Sequence, residues 1–437
     1  MGATLFNPHD EDSTIHQYIP ELSKEPPSTV DIAVIGAGII GLSTAYRLQK
    51  IGYSVAILDP QPASEATRAA AGMLAPASET QFRQEPLVQL MKRAAQLYPS
   101  FAQHIQEESG IHVGRQETKT LVCAYDHADK NALEDLQQYQ QELGLETQKI
   151  SIRKARSQEP SLSSRLAGVV EIAGDHQINP RWYCQGLIHL LHEQLYPVRA
   201  QKILLDADQT HARSIYWEYQ NPTTGQQHTG ELHATYIIVA NGLGTLELQG
   251  IPALKELPLR PVYGDVLRLR VPENQRPFIT STIRGIVRSQ PVYIVPREDN
   301  TVVIGATSRE DHMPGINAGG IYQLLRDARE LIPAITELEL YEIISRARPG
   351  TPDDLPLIGT IEHHGKALKN LILSNGYFRH GILLSTRAAE LVEHLITETL
   401  TEDDRKDLYA CRPQRFTPTQ QNPKPTEENP NEHHPHN

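Results

Sequence analysis

The sequence predicts a mixed α/β (α+β) fold in which a Rossmann-like nucleotide-binding unit is joined to an antiparallel sheet, and three features predict it. First, an apolar run at residues 31–35 leads into the turn Gly36, Ala37, Gly38, Ile39, Ile40, Gly41. An amphipathic helix to about residue 51 and a second apolar run at residues 53–58 follow, the order of a βαβ unit. Gly52 supplies the left-handed cap between that helix and the second strand. Second, residues 120–125, 262–271, 292–296 and 301–305 read as strands, with a helix at 128–143, and fit an antiparallel sheet. Third, strand-then-helix returns near the end, at residues 370–374 and 383–399.

The chain of 437 residues is about threefold longer than one usual domain, so two consecutive or intertwined domains are expected. Its formal net charge of −12 repels phosphate backbones and anionic lipid, which excludes general nucleic-acid or membrane-surface binding. No apolar run approaches the ~20 residues that cross a bilayer. Cys123, Cys184 and Cys411 are odd in number and widely spaced, so neither a disulfide framework nor a zinc site is indicated, and a reducing compartment is. The start carries no basic stretch followed by an apolar one, and Phe6 stands where a myristoylation signal needs Ser or Thr, so cytoplasm is the expected location. Both ends read as polar arms, proline-bearing and without periodicity. His433, His434 and His436 belong to the second arm and read as solvated, so no metal is expected.

The glycine turn is where chemistry enters. Gly36 permits the tight turn, Gly38 lets the backbone approach a pyrophosphate, and Gly41 lets helix and strand pack closely, while the helix N-terminus offers free N–H groups to phosphate. Asp59 follows Gly41 by 18 residues, at the end of the second strand, where its carboxylate accepts hydrogen bonds from a ribose diol and repels a 2′-phosphate. FAD or NAD is indicated rather than NADP. A second strand-and-glycine stretch, residues 235–240 with Gly242 and Gly244, has Glu247 at the third glycine position and reads as a strand end lying beside the bound cofactor.

The stretches DIAVIGAGIIGLSTAYRL, ATRAAAGMLAP, RPVYGD, YIVPRE, VVIGAT, RARPGTPDDLPLIG and NGYFRHGILLSTRAAEL occur in that order over roughly residues 30 to 400. Together they resemble the D-amino-acid oxidase family of FAD-dependent oxidoreductases, and within it the glycine oxidase branch of thiamine biosynthesis. The resemblance implies a Rossmann-like FAD-binding domain at residues 29–90, 180–257 and 341–400. It also implies an interleaved antiparallel-sheet substrate domain at 91–179 and 258–340, with a flexible arm at 1–28 and a disordered tail at 401–437. Further implied are noncovalent FAD, dioxygen as electron acceptor, a homo-oligomer up to a tetramer, and a functional link to a separate thiazole synthase.

By the same resemblance, Gly36, Gly38, Ile40, Gly41 and Asp59 hold the ADP half of FAD, and Thr67, Arg68, Ala70, Ala71, Gly72 and Met73 pass along its pyrophosphate and flavin. Small residues there let backbone lie against a flat ring. Gly376, Arg379, His380, Gly381, Ile382 and Leu383 aim a helix N-terminus at the flavin. The substrate carboxylate is assigned to Arg348 and Tyr293, since a guanidinium fork matches a carboxylate and a phenol completes it. Arg379 either binds the carboxylate's outer side or guides it at the entrance. The implied reaction is oxidative deamination of glycine, sarcosine or small D-amino acids to an imine, then glyoxylate or a keto acid with ammonia and hydrogen peroxide. No side-chain acid or base is required once the amine is neutral. Alternatives are a D-amino-acid oxidase or dehydrogenase of other range, or a flavin-binding regulatory module without turnover. Ser308, Arg309 and Asp265 depart from the family pattern. Neither Ser345 nor Ala347 is the thiol that tethers flavin in related sarcosine oxidases.

Overall fold

Alternation along the strands builds two sheets, each with one face on helices and the other turned to a second layer. The computed structural model describes residues 4–6 and 24–416; the rest of both expected arms, tail histidines included, lies outside the described residues.

The nucleotide-side sheet orders its strands Arg199–Leu205, Ala212–Gln220, Gln227–Val239, Thr29–Ile35, Val55–Leu58 and Leu195–Tyr196. Lys366–Asn375 adds a further parallel strand beside the end of Gln227–Val239, and Leu357–His363 pairs with it antiparallel. The central partners run parallel, with Val34 opposite Ile57 on one side and Ile238 on the other. Ile32 and Val34 point into a core shared with the helices Ile39–Lys50, Glu85–Ser109, Pro180–Leu190 and Gly381–Thr397, whereas Ala33 and Ile35 pack towards Ile215, Trp217 and Leu357. Strands buried on both faces explain the unbroken apolar runs seen in the sequence.

The second sheet has nine strands in the order Thr4–Phe6, Glu339–Gly350, Arg260–Arg270, Thr301–Gly305, Gln290–Pro296, Thr282–Val287, Thr120–Ala124, Gly168–Ile172 and Gln148–Ile150. All neighbours are antiparallel except Thr282–Val287 with Thr120–Ala124. Leu267, Ile283, Ile294, Val302 and Ile304 pack on the helix Ala318–Leu331. The opposite face presents Val266, Val295, Val303 and Ile344 to Ala69 and Ala71, which brings the alanine-rich loop at 67–73 onto this sheet.

Three expected boundaries need correction. Residues Thr4–Phe6, placed in a flexible arm, extend the second sheet by pairing with Glu339–Gly350. The boundary at 90/91 cuts the 25-residue helix Glu85–Ser109, whose buried Leu87, Met91 and Ala94 belong to the nucleotide-side core. The tail expected to be disordered from 401 instead starts with the helix Glu402–Cys411, closed by a Thr401/Asp404 capping box. Ion pairs hold it: Arg387 reaches Asp404 at 2.8 Å and Asp407 at 2.7 Å, and Arg93 reaches Asp407 at 2.7 Å. Besides these, the helix expected at 383–399 begins two residues earlier, at Gly381, and ends at Thr397 before Glu398 turns left-handed (φ 58°).

Candidate active site

Two glycines make the nucleotide turn sterically obligatory. Gly36 has φ +104°, and a methyl built on it would lie 2.6 Å from Asn241 Cα, at the end of Gln227–Val239. A methyl on Gly41 would lie 3.0 Å from the Gly36 carbonyl carbon and nearer still to its oxygen, so only glycine lets the helix seat on the turn. At Gly38 the nearest atom is Thr67 Oγ1 at 3.5 Å, leaving the approach open. The Ile39 N–H donates to that same hydroxyl at 3.1 Å, and the other N–H groups of the first turn have no carbonyl behind them. Asp59 accepts from the Ala37 N–H at 2.6 Å and the Gln61 N–H at 2.8 Å; burial pushes its carboxyl up against those two bonds. This acid, glycine turn and helix start fit the adenosine and pyrophosphate of a dinucleotide.

The loop at 67–73 is shaped from behind by buried arginines. Arg181 bonds the Arg68 carbonyl at 3.4 Å, Arg268 the Ala70 carbonyl at 3.5 Å, and Arg297 the Ala71 carbonyl together with those of Ile178 and Gln177 Oε1, both at 2.8 Å. Arg181 also grips Glu342 with bonds of 2.7 and 2.8 Å. Burial pulls the Arg297 guanidinium down to about 9. Ala69 and Ala71 pack their small side chains against the sheet, and Ala70 packs towards the nucleotide-side core. Gly72 (φ +72°) approaches Pro180 so closely that a methyl would sit 2.7 Å from its Cδ.

On the substrate side, two more glycines clear space for functional groups. The Arg348 guanidinium lies across Gly264, where a methyl would be 2.5 Å from Cζ, and the Tyr293 ring lies over Gly305, where a methyl would be 2.8 Å from Cε2. Arg348 donates to the Thr307 carbonyl at 3.3 Å, and no carboxylate lies within ion-pair distance among the described residues. Desolvation lowers the Arg348 pKa and raises that of Tyr293, which the Arg348 charge pulls back. Thr307 is itself fixed by Asp265, which bonds its hydroxyl at 2.8 Å and pairs with Arg309 at 3.2 Å. Asp265 and Arg309 therefore buttress the floor, while Ser308 is exposed.

Arg379 joins this group through Glu79, a buried residue that the sequence reading missed. Glu79 pairs with Arg379 Nε at 3.2 Å and with Arg284 Nη1. Desolvation opposes its charge, but the two guanidiniums prevail and hold the carboxyl at about 2. Arg284 stands directly opposite Tyr293 across the strands, so both side chains share one face, and its Nη1 also reaches Met73 Sδ at 3.8 Å. His380, buried at the start of Gly381–Thr397, accepts from Arg379 Nε at 3.2 Å, and burial drives its pKa down to about 3, so it is neutral. Ile40, Ile382 and Leu383 turn their side chains into the core, so only their backbone faces the site. Gly376 (φ +73°) packs against Thr351.

The chain matches the FAD dependent oxidoreductase family over residues 31–395. It belongs to that family. FAD, not NAD, is thus the cofactor. The glycine oxidase of Geobacillus kaustophilus is 30% identical over 381 residues, 86% of this chain and 94% of that protein. Its crystal structure superposes with a TM-score of 0.73, covering 86% and 96% of the two chains at 28% identity. The bifunctional protein ThiO/ThiG of Trichormus variabilis is 29% identical over 395 residues, 90% of this chain; the chain spans 56% of that protein. An L-proline dehydrogenase from P. horikoshii shares the fold, with a TM-score of 0.72 at 18% identity. Glu79, Arg284 and the buried arginines 181, 268 and 297 are the site residues that sequence reading did not find. Of these only Arg268 and Arg284 carry a signal, an arginine within an otherwise apolar strand.

Proposed function

We propose that the protein is an FAD-dependent oxidase of glycine and comparably small amines such as sarcosine or small D-amino acids. It would release an imino acid, hydrolysed to glyoxylate and ammonia, with hydrogen peroxide, and supply imine for the thiazole moiety of thiamine. One observation carries the reading: Arg348 spreads its guanidinium over Gly264 without a carboxylate partner, beside the Tyr293 phenol, on the sheet face that packs against the loop at 67–73. A guanidinium fork kept in that state is complementary to a small carboxylate. The resemblance to a glycine oxidase and to ThiO/ThiG proteins supports the substrate and the link to a thiazole synthase. Three free, buried cysteines suit the reducing cytoplasm.

Noncovalent FAD, when bound, accepts hydride from the substrate Cα and passes the electrons to dioxygen. The loop at 67–73 would position its ring system, the turn at 36–41 and Asp59 its adenosine diphosphate, and the N-terminus of Gly381–Thr397 would favour negative charge on it. Arg348 and Tyr293 fix the carboxylate so that Cα faces that ring. Neither of the two buried groups beside Arg379 titrates near neutrality: His380 is neutral down to about 3 and Glu79 is ionised down to about 2. Deprotonated amine is therefore drawn from solution, and orientation with exclusion of water does the rest.

The test is peroxide release by the yellow protein under air with glycine, sarcosine, D-alanine and D-proline side by side. Arg348→Ala is expected to raise KM for glycine at least tenfold, the loss of one charge-assisted bond of about 1.5–3 kcal/mol, with flavin content retained. Silence with all four amines, or parallel loss of flavin and turnover in the variant, overturns the reading.

A further inference from the structure

Successive side chains of a strand face opposite ways. Along Arg260–Arg270 this turns Gly264 and Val266 towards the loop at 67–73, and Asp265 and Leu267 towards the helix Ala318–Leu331. The Asp265 carboxylate is fully buried on the helix side, where Gly320 makes room for it: a methyl there would stand 3.0 Å from Asp265 Oδ2 and 2.8 Å from Thr307 Cγ2. Arg348 lies on the other side, across Gly264. Thr307 belongs to both. Its hydroxyl donates to Asp265 Oδ2 at 2.8 Å and accepts from the Asp265 N–H at 2.7 Å, while its carbonyl accepts from Arg348 Nη1 at 3.3 Å.

Both oxygens of Asp265 are committed. Oδ2 also accepts from Arg309 Nε at 3.3 Å, and Oδ1 accepts from Arg309 Nη2 at 3.2 Å. A buried carboxylate bonded on every side is held in one place, and it holds its partners in turn. Arg309 is itself gripped from elsewhere, by Asp311 at 3.0 Å, the Gly315 carbonyl at 2.8 Å and the Ser345 hydroxyl at 3.3 Å. The Thr307 peptide is thus fixed through its own side chain, and Arg348 rests on that peptide. Burial is the main influence on the Arg348 pKa and lowers it; Asp265 is among the groups whose charge raises it again.

We propose that Asp265 is a positioning residue for Arg348: from the back of the sheet, through the hydroxyl and peptide of Thr307, it sets where the guanidinium waits for the substrate carboxylate. The inference rests on the oxidase reading above, which gives Arg348 that carboxylate. Asp265 faces away from the loop at 67–73, so its whole influence on binding travels through the residues it holds. Asparagine at 265 keeps the shape and removes the function. Each oxygen of Asp265 faces a donor, and an amide has only one oxygen, so it must set its own N–H groups against Thr307 or Arg309. Arg309 keeps Asp311, so the substitution leaves no stranded charge.

The FAD-loaded protein is titrated with glycolate, the hydroxy analogue of glycine, and binding is read from the flavin spectrum. Asp265→Asn is expected to weaken glycolate about tenfold and to raise KM for glycine by a similar factor, with a smaller change in kcat and with the flavin content of the parent. Thr307→Val should do the same, and Thr307→Ser, which keeps the hydroxyl, should restore most of the affinity. The deciding step repeats Asp265→Asn in an Arg348→Ala background. There it should weaken glycolate no further, because an influence carried by Arg348 ends with it. Equal weakening in both backgrounds, or affinity within about twofold of the parent in both Asp265→Asn and Thr307→Val, overturns the proposal. Should Asp265→Asn fail to fold, Thr307→Val takes its place in the same cycle. If Arg348→Ala alone binds glycolate as tightly as the parent, the oxidase reading of Arg348 falls and the proposal with it. Loss of affinity in Arg348→Ala without any in Asp265→Asn and Thr307→Val refutes the proposal alone.

Discussion

Gly264→Ala isolates the position of Arg348 from its charge. A methyl at residue 264 would stand 2.5 Å from Cζ, where ordinary contact begins at about 3.4 Å, so the guanidinium must move by about 1 Å or the strands must part. The strands resist, because Arg260–Arg270 is paired along its length with Glu339–Gly350 and again with Thr301–Gly305. Movement therefore falls on the side chain, whose own anchor is the single 3.3 Å bond to the Thr307 carbonyl. A misplacement of about 1 Å in a positioning group costs on the order of 100-fold in rate, roughly 2.7 kcal/mol of transition-state stabilisation. Steady-state peroxide release with glycine or sarcosine reads the effect as kcat/KM. Flavin absorbance per protein should hold, since Gly264 lies away from the turn at 36–41. A kcat/KM within threefold of the parent, with flavin intact, would refute the idea that Arg348 works from the place where Gly264 lets it lie.

Two further outcomes are expected. Gly41→Ala forces a methyl against the Gly36 carbonyl, so the purified protein should emerge largely colourless and recover flavin only at raised FAD concentrations; full flavin content would mean that the turn relaxes freely. Folded His380 titrates at about 3 against 6.5 for the unfolded group, so the unfolded chain takes up a proton first as pH falls, and stability conferred above pH 6.5 is lost towards pH 3. His380→Asn should flatten the fall in Tm between pH 7 and 5; parallel profiles would show that the imidazole is not shielded.

Local physics made the nucleotide half legible. A glycine turn, a helix start and an acid at the end of the next strand are neighbours in sequence and in space, and each acts through backbone geometry that the residue type dictates. Tyr293, Arg348 and Arg379 are assigned through motif resemblance; in the structure Tyr293 packs with Ala69 and Ala71, and Arg379 pairs with Glu79. Glu79 and Arg284 escaped because they meet across 205 positions of chain, a turn residue against a strand residue, which no local pattern encodes. The helix Glu402–Cys411 escaped for a different reason. It buries Asp404, Asp407 and Cys411 rather than an apolar stripe, so composition reads as solvated where ion pairs with Arg387 and Arg93 hold it.

Those late residues have a bearing on when the site is finished. Arg415 binds both oxygens of Asp353, at 2.8 and 2.9 Å, and the carbonyl of Leu355 at 2.7 Å. Asp353 and its neighbour Asp354 lie in the loop just beyond Arg348, and Asp354 is hydrogen-bonded to Gln84 at 3.1 Å, close after Glu79. The clasp on this loop thus comes from the last part of the described chain to leave the ribosome. The residues assigned to FAD end at Leu383, so during synthesis all of them are made before Arg415 fastens the loop beyond Arg348.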